Sequence, residues 1–344
     1  MSTLTYQAMT MTTRMMINRY MFNIGFIGSK GISVTVAKEL ANNKNINVVA
    51  VYSRNFKNCQ KFSKMFRATP YKSYEDLIKD KRINAIYVAT PHRYHYHYSK
   101  IALEHKIPVI CEKTLTLNLK SAEDLYETAK RNNTYFVEAM WTWFNPTAYK
   151  VKEWIDNKLI GKVKLFKADF SVPSIYAAKK FRITDLNSGG GSLYDLGIYP
   201  ATYAYRLFGY PKTIKATAKM KRDIDFSLKV EFEYENGIKC QLTSAINHLG
   251  LCNAKVLGEE GVIKLPFSFH SARKAVLKNK NGKEVYQDRE PIKLYEREFV
   301  VATSEISEGL IDSRFVPSKA TLDVLSILEE IKKQIGLNYP DDMN

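Results

Sequence analysis

No part of the chain holds the run of about twenty consecutive apolar residues that a membrane-crossing helix needs, so a helical span is excluded and a soluble protein is expected. Cysteine is scarce: Cys59, Cys111, Cys240 and Cys252 lie far apart and form no C-x-x-C pair. That spacing argues against a disulfide framework or a zinc cage and fits reduced thiols in a cytoplasm. Repeats and low-complexity linkers are also absent, so the parts of the chain are expected to pack in firm contact. Negative charge is in short supply, with 35 acidic against 52 basic residues and a formal net charge of +17. The basic residues are spread along the chain rather than gathered into a stripe or binding motif. A solvated basic surface is therefore expected, and no nucleic-acid partner. The first twenty residues lack the continuous apolar stretch and cleavage site of a secretory signal. Residues 1–21 are expected to be a disordered extension, within which Met15, Met16 and Met21 offer later starts.

What is present is a soluble-protein composition, 45% hydrophobic and 25% charged, on a chain of 344 residues that suits two domains. From Phe22 to about residue 144, short β-branched runs such as "FNIGFI", "INVVAVYS", "INAIYVAT" and "IPVICE" alternate with stretches of helical periodicity. That alternation is the mark of a parallel sheet wound with helices. From 145 to 344 the texture changes. "KVKLFKADFSV", "TIKATAKM", "FSLKVEFEY", "IKCQLTSAI" and "GVIKLP" read as strands with few helices between them, which predicts a largely antiparallel sheet open on one face. The periodic "SKATLDVLSILEEIKKQIG" predicts a packed terminal helix stopped by Gly336.

Five stretches carry candidate chemistry. "GFIGSKGIS" resembles a dinucleotide turn in which Gly28 holds the first glycine position, Lys30 the second and Ser33 the third. Gly31, one residue late, is expected to supply the backbone freedom, while the Lys30 Cβ crowds the phosphate side and its ammonium offers a countercharge. "VVAVYSRN" places Ser53 and Arg54 where a carboxylate would select NAD. An arginine there accommodates a 2′-phosphate or is simply an exposed arginine after a strand. "TPHRYHYHY" clusters His92, His95 and His97 but lacks supporting carboxylates or thiols, so one pocket histidine is expected rather than a metal site. "VICEKT" sets Glu112 and Lys113 at a strand's carboxyl end, as ligand-binding groups or as a surface ion pair. "GGGSLYDLGIYP" leads three glycines into a helix on which Asp195 and Tyr199, four residues apart, share a face. They serve proton transfer or merely cap and bury the helix.

Together with "VEAMWTWFNP" and "LEEIKKQIGLNYP", these stretches in this order resemble the Gfo/Idh/MocA oxidoreductases, most closely the dihydrodiol dehydrogenase branch. The resemblance implies an α/β protein with an amino-terminal Rossmann domain over residues 22–144. A substrate and dimerisation domain over 145–344 follows, with a cleft between them and a homodimer or higher homo-oligomer formed through the open sheet. It implies hydride transfer between NADP(H), preferred over NAD(H), and a hydroxyl-bearing carbon of a sugar, polyol or cyclic diol. By the same resemblance Lys113, Asp195 and Tyr199 are the catalytic group, with Lys113 lowering the Tyr199 pKa and Asp195 orienting the pair. Gly28, Lys30, Gly31, Ser53, Arg54, Thr90, Pro91, His95, Glu112 and Lys113 face the cofactor, and Trp143 and Tyr199 face the substrate.

Three departures bear on function. Lys30 replaces a glycine, Thr114 replaces the proline of an E-K-P motif, and Trp143 replaces an arginine. Without proline the usual licence for a cis bond is gone, so a changed placement of Lys113 is expected. Lys30 and Thr114 favour a rival reading, a nucleotide-binding regulator without turnover. A relative that uses the nicotinamide only transiently, in a hydrolytic or elimination cycle, is the other rival.

Overall fold

The structure is a computed structural model that describes residues 21–173, 182–291 and 293–340. The expected extension therefore lies outside the described residues, apart from Met21.

The first β-branched runs form β1 (Phe22–Ile27), β2 (Ile46–Tyr52), β3 (Thr69–Tyr71), β4 (Ala85–Val88), β5 (Val109–Glu112) and β6 (Phe136–Ala139). They pair in parallel in the order β3-β2-β1-β4-β5-β6. The helices between them are α1 (Ile32–Leu40), α2 (Phe56–Phe66), α3 (Tyr74–Ile78), α4 (His95–Glu104) and α5 (Leu119–Arg131). Strands β4, β5 and β6 are buried at every residue, which is why they read as continuous rather than alternating apolar runs. The strand order reverses between β1 and β4. A crevice opens at the carboxyl ends of the strands at such a switch point, and this is where ligands bind in sheets of this kind.

Pro146 at the first turn of α6 (Pro146–Asp156), capped by the Asn145 side chain, starts the second half. Its strands are β7 (Val163–Ser171), β8 (Thr213–Lys221), β9 (Ile224–Glu233), β10 (Lys239–Ala245), β11 (Ala254–Gly258), β12 (Gly261–Leu265), β13 (Lys274–Asn279) and β14 (Gly282–Gln287). The sheet order is β14-β13-β12-β11-β7-β10-β9-β8, antiparallel throughout except where β7 meets β10. One face is covered by α7 (Ile198–Phe208) and, near β8, by the terminal helix α9 (Ser318–Gln334). The other face is open, with Lys215, Thr217, Lys229, Glu231 and Gln241 exposed along β8 to β10. Strands β3, β11, β13 and β14 were not legible in the sequence, being short or built largely from Lys, Glu and Gly.

After β14 the chain returns to the first sheet. Helix α8 (Leu294–Ser307) packs on α1 and on the 3₁₀ turn Trp141–Phe144, and Phe299 meets Tyr87 edge-on at 5.0 Å. Helix α9 stops before Gly336, whose φ of 68° ends the helix as the sequence predicts.

Candidate active site

Between β1 and α1 the chain must turn within four residues. Gly28 has a φ of 118°, and a Cβ there would lie 2.3 Å from the Ala89 carbonyl oxygen, so only glycine fits. Gly31, with a φ of 57°, takes the left-handed position at the head of α1, and Lys30 beside it is exposed. The hydroxyls of Ser29 and Ser53 meet at 2.9 Å and tie this turn to the end of β2. Arg54 lies 4.2 Å from the Tyr94 ring centroid and donates from Nη1 to the Tyr94 hydroxyl at 2.7 Å. The guanidinium is thereby held at the β2 edge of the crevice. Thr90, at the end of β4, keeps its Oγ1 buried with no hydrogen-bond partner, and Pro91 leads into the 3₁₀ turn His92–Tyr94.

Strand β5 ends in Glu112-Lys113-Thr114. Glu112 is buried and accepts from the Tyr87 hydroxyl at 2.5 Å and from the Lys113 N–H at 3.2 Å. Burial raises its pKa to about 6 against the opposing pull of Tyr87 and Lys113. Thr114 corrects the sequence reading: the Lys113–Thr114 peptide is cis although no proline is present. The Thr114 hydroxyl donates to the Tyr194 carbonyl at 2.7 Å, a bond that a proline could not make. Lys113 reaches the second half of the chain from this position. Its Nζ donates to the Asp195 carbonyl at 2.8 Å, lies 3.6 Å from Asp195 Oδ1 and sits 4.9 Å from the Tyr199 ring centroid.

His95 was expected to line the cleft. It is instead fully buried, with its ring nitrogens 3.0 Å from the Thr114 carbonyl and 2.9 Å from the Thr90 carbonyl. Its role is to brace the two loops that carry Thr90 and Lys113. His92 comes nearer the charged cluster: its Nδ1 lies 3.1 Å from the Gly189 carbonyl, and burial followed by the Arg182 charge pushes its pKa well down.

The glycine-rich stretch lets backbone approach backbone. A Cβ on Gly191 would lie 2.2 Å from the Asp225 carboxylate, whose other oxygen accepts the Leu193 N–H at 2.7 Å. A single π-helical turn, Leu193–Gly197, carries Asp195 and runs straight into α7, which carries Tyr199. Such wide turns are frequent at functional sites because they re-aim one side chain within a helix. Arg182, which the sequence reading missed, donates to Asp195 Oδ1 at 2.7 Å. Burial pushes the Asp195 pKa up, but Arg182 and then Lys113 outweigh it and hold the carboxyl well below the usual carboxylate range.

Tyr199 is buried, and its hydroxyl accepts from Trp141 Nε1 at 3.3 Å. Burial, followed by the Glu112 charge, drives the phenol pKa upward. The expected lowering by Lys113 is therefore corrected: Tyr199 is held as the neutral phenol. Around it stand Phe170 at 5.3 Å, His270 at 5.2 Å and Trp141 at 5.9 Å, with Tyr295 of α8 5.4 Å from Trp141. Trp143 does not make this wall. It is buried against Arg206, whose guanidinium lies 5.2 Å from its ring, because the tight 3₁₀ turn sends Trp141 and Trp143 to different neighbours. The motif "WTW" signalled an aromatic but not which one. Arg182, His270 and Phe170 lie on distant segments that only the fold gathers.

Residues 22–139 match the family model described as an oxidoreductase family with an NAD-binding Rossmann fold, and residues 149–264 match that for a GFO/IDH/MocA C-terminal domain. The chain belongs to the Gfo/Idh/MocA oxidoreductase family. Among its Gfo/Idh/MocA relatives is trans-1,2-dihydrobenzene-1,2-diol dehydrogenase of Xenopus tropicalis, 28% identical over 305 residues, covering 85% of this chain and 91% of that protein. Another is scyllo-inositol 2-dehydrogenase (NADP(+)) IolU of Bacillus subtilis, 28% identical over 334 residues, covering 94% and 99%. In fold it is similar to the 3-ketoreductase KijD10 of Actinomadura kijaniata, with a TM-score of 0.82 at 21% identity, covering 92% of this chain and 98% of that one.

A Gfo/Idh/MocA oxidoreductase needs a nicotinamide dinucleotide, and the residues present fit one. Gly28, packed against the Ala89 carbonyl, makes the tight turn that leads into the amino-terminal end of α1, where a pyrophosphate would lie. The Thr90 Oγ1, buried with no hydrogen-bond partner among the described residues, stands at the end of the neighbouring strand.

Proposed function

We propose that this chain is an NADP(H)-dependent oxidoreductase that moves hydride between the nicotinamide and a hydroxyl-bearing carbon of a sugar, polyol or cyclic diol. The observation that carries this reading is the cluster of Lys113, Asp195 and Tyr199 at the carboxyl edge of β5. There the lysine touches the aspartate and lies against the tyrosine ring. When bound, NADP(H) supplies or takes the hydride. Of the three donors on Lys113 Nζ, one is engaged by the Asp195 carbonyl, and another is available to hold the reacting oxygen. Asp195, kept ionised by Arg182 and Lys113, fixes the ammonium in place. In the reducing direction the Tyr199 phenol hands its proton to the oxygen as it becomes an alkoxide. In the oxidising direction the phenolate takes the hydroxyl proton while hydride leaves the same carbon. Because burial raises the phenol pKa above its ordinary value near ~10, the oxidising reaction is expected to speed up as pH rises and more phenolate forms, while the reducing reaction, which uses the phenol, keeps its rate through neutral pH.

Arg54 supports NADP(H) over NAD(H), since it presents a cation at the β2 edge where a ribose 2′-phosphate would lie and no carboxylate stands beside it. IolU carries NADP(+) in its own name. The Trp141, Phe170 and Tyr199 rings support a ring-shaped substrate. For assembly, we take the open face of the second sheet as the surface of a homodimer. There Lys215 pairs across the strands with Glu231, and sedimentation would distinguish one copy from two. The deciding experiment follows the absorbance of reduced cofactor while polyols, sugars and cyclic diols are screened. Net cofactor turnover with at least one of them supports the reading. Product without net redox change supports the transient-nicotinamide alternative, and binding of NADPH without product from any of them supports the regulator.

A further inference from the structure

His270 sits on a short 3₁₀ turn, Phe269–Ser271, between β12 and β13. The turn is firmly placed. Phe269 is fully buried and its N–H donates to the Cys252 carbonyl at 3.1 Å, while the Asn145 side chain donates to the Ala272 carbonyl at 3.1 Å. The imidazole stacks on Phe170 with centroids 4.0 Å apart and planes 28° from parallel. It lies 5.2 Å from the Tyr199 ring and 5.7 Å from Trp141.

Packing alone does not call for a histidine here. A phenylalanine would stack on Phe170 equally well and would not bury a polar atom, whereas His270 Nδ1 is buried with no hydrogen-bond partner among the described residues. Burial, followed by the Lys113 charge, lowers the His270 pKa to about 4, so the ring is neutral near pH 7 and carries one N–H and one lone pair. A buried N–H without an acceptor costs more than an unused lone pair, so the lone pair belongs on Nδ1 and the proton on Nε2. His270 is thus a neutral donor on a partly exposed side chain beside the phenol that handles the reacting oxygen. No step assigned to Lys113, Asp195 or Tyr199 uses it.

We propose that His270 donates a hydrogen bond to a second hydroxyl of the substrate, on the carbon next to the reacting one, and so selects vicinal diols carried on a ring. The proposal rests on the oxidoreductase reading for which oxygen reacts. Two donors on neighbouring rings suit two oxygens separated by one carbon–carbon bond. Trp141, oriented by its own bond to Tyr199, and Phe170, stacked on His270, make the surroundings of the two donors apolar.

The test uses the full chain with NADP(+). Cyclohexane-1,2-diols, inositols and aldopyranoses are each compared with the counterpart lacking the hydroxyl next to the reacting carbon. Both kcat/KM and equilibrium binding by calorimetry are measured, for the parent protein, His270→Phe and His270→Gln. The expected result is a preference for the diol that falls roughly tenfold in His270→Phe, which keeps the stack, and is partly retained in His270→Gln, which keeps a donor. An unchanged preference in His270→Phe, or failure of every diol to bind the parent protein, overturns the proposal. If diols bind selectively through His270 but none is turned over, the proposal on His270 stands and the oxidoreductase reading falls. Turnover with no dependence on His270 overturns the proposal and leaves the oxidoreductase reading standing.

Discussion

Among the described residues the Tyr199 hydroxyl is held by the 3.3 Å contact from Trp141 Nε1, and its ring packs against Phe170, His270 and Trp141. Replacing it with phenylalanine removes the proton-handling hydroxyl and leaves the ring packing intact. Turnover of Tyr199→Phe is expected to fall at least about a hundredfold, with NADPH affinity by fluorescence titration unchanged. Equal turnover would remove Tyr199 from the chemistry. Arg54 makes a separate test at the cofactor's other end. Arg54→Ala is expected to weaken NADPH roughly tenfold and to leave NADH within about twofold, since only the phosphorylated ribose gains from the guanidinium. At this scale the sequence reading was uneven. That Lys113, Asp195 and Tyr199 come together was legible because each sits in a short, distinctive motif. The burial of His95 was not legible, because only the fold sets its ring between the Thr90 and Thr114 carbonyls.

Among the elements, the two tight entries into helices are the most constrained. Gly28→Ala would press a Cβ against the Ala89 carbonyl in a backbone conformation that alanine disfavours. It is expected to destabilise the protein by at least about 2 kcal/mol, visible as a lower denaturation midpoint. The entry into the π turn depends on Asp225, a buried carboxyl that accepts from the Leu193 N–H and whose pKa burial raises to about 7. An acid with a raised folded-state pKa contributes its full stability below the unfolded value near ~4 and loses it as pH climbs toward the folded one. Between about pH 4 and pH 7 the protein should lose stability on this account, on the order of 4 kcal/mol at most. Asp225→Asn should flatten that slope in thermal melts between about pH 4 and pH 7. A slope unchanged by the substitution would place the titration elsewhere, at another buried acid with a raised pKa such as Glu112, Glu138 or Glu298.

For the whole molecule, the decisive feature is that the cluster belongs to neither sheet alone. Lys113 comes from the end of β5, Asp195 from the π-helical turn that leads into α7, and Tyr199 from α7 itself. Thr114 ties the two with its bond to Tyr194, while α8 folds back so that Tyr295 closes the aromatic wall. Thr114→Val keeps the shape and loses that bond. It is expected to cost about 1 kcal/mol of stability and to lower kcat more than it weakens NADPH binding, because it loosens the seam between lysine and tyrosine. Equal losses in both would mean that the seam serves only stability.

The amino-acid sequence by itself determined the wound first sheet, the change to an antiparallel second half and the helix stop at Gly336. It also marked the turn at Gly28 and the motifs that carry Lys113, Asp195 and Tyr199, because all of these are written in local periodicity, in turn residues and in short motifs. It determined that a cation rather than a carboxylate follows β2. Only the tertiary structure decided that Arg182 joins Asp195, that Trp141 and not Trp143 stands beside Tyr199, that burial keeps that phenol protonated, and that His270 stacks over Phe170. Each of these depends on residues far apart in the chain being packed out of water together, and no local pattern encodes which distant side chain arrives.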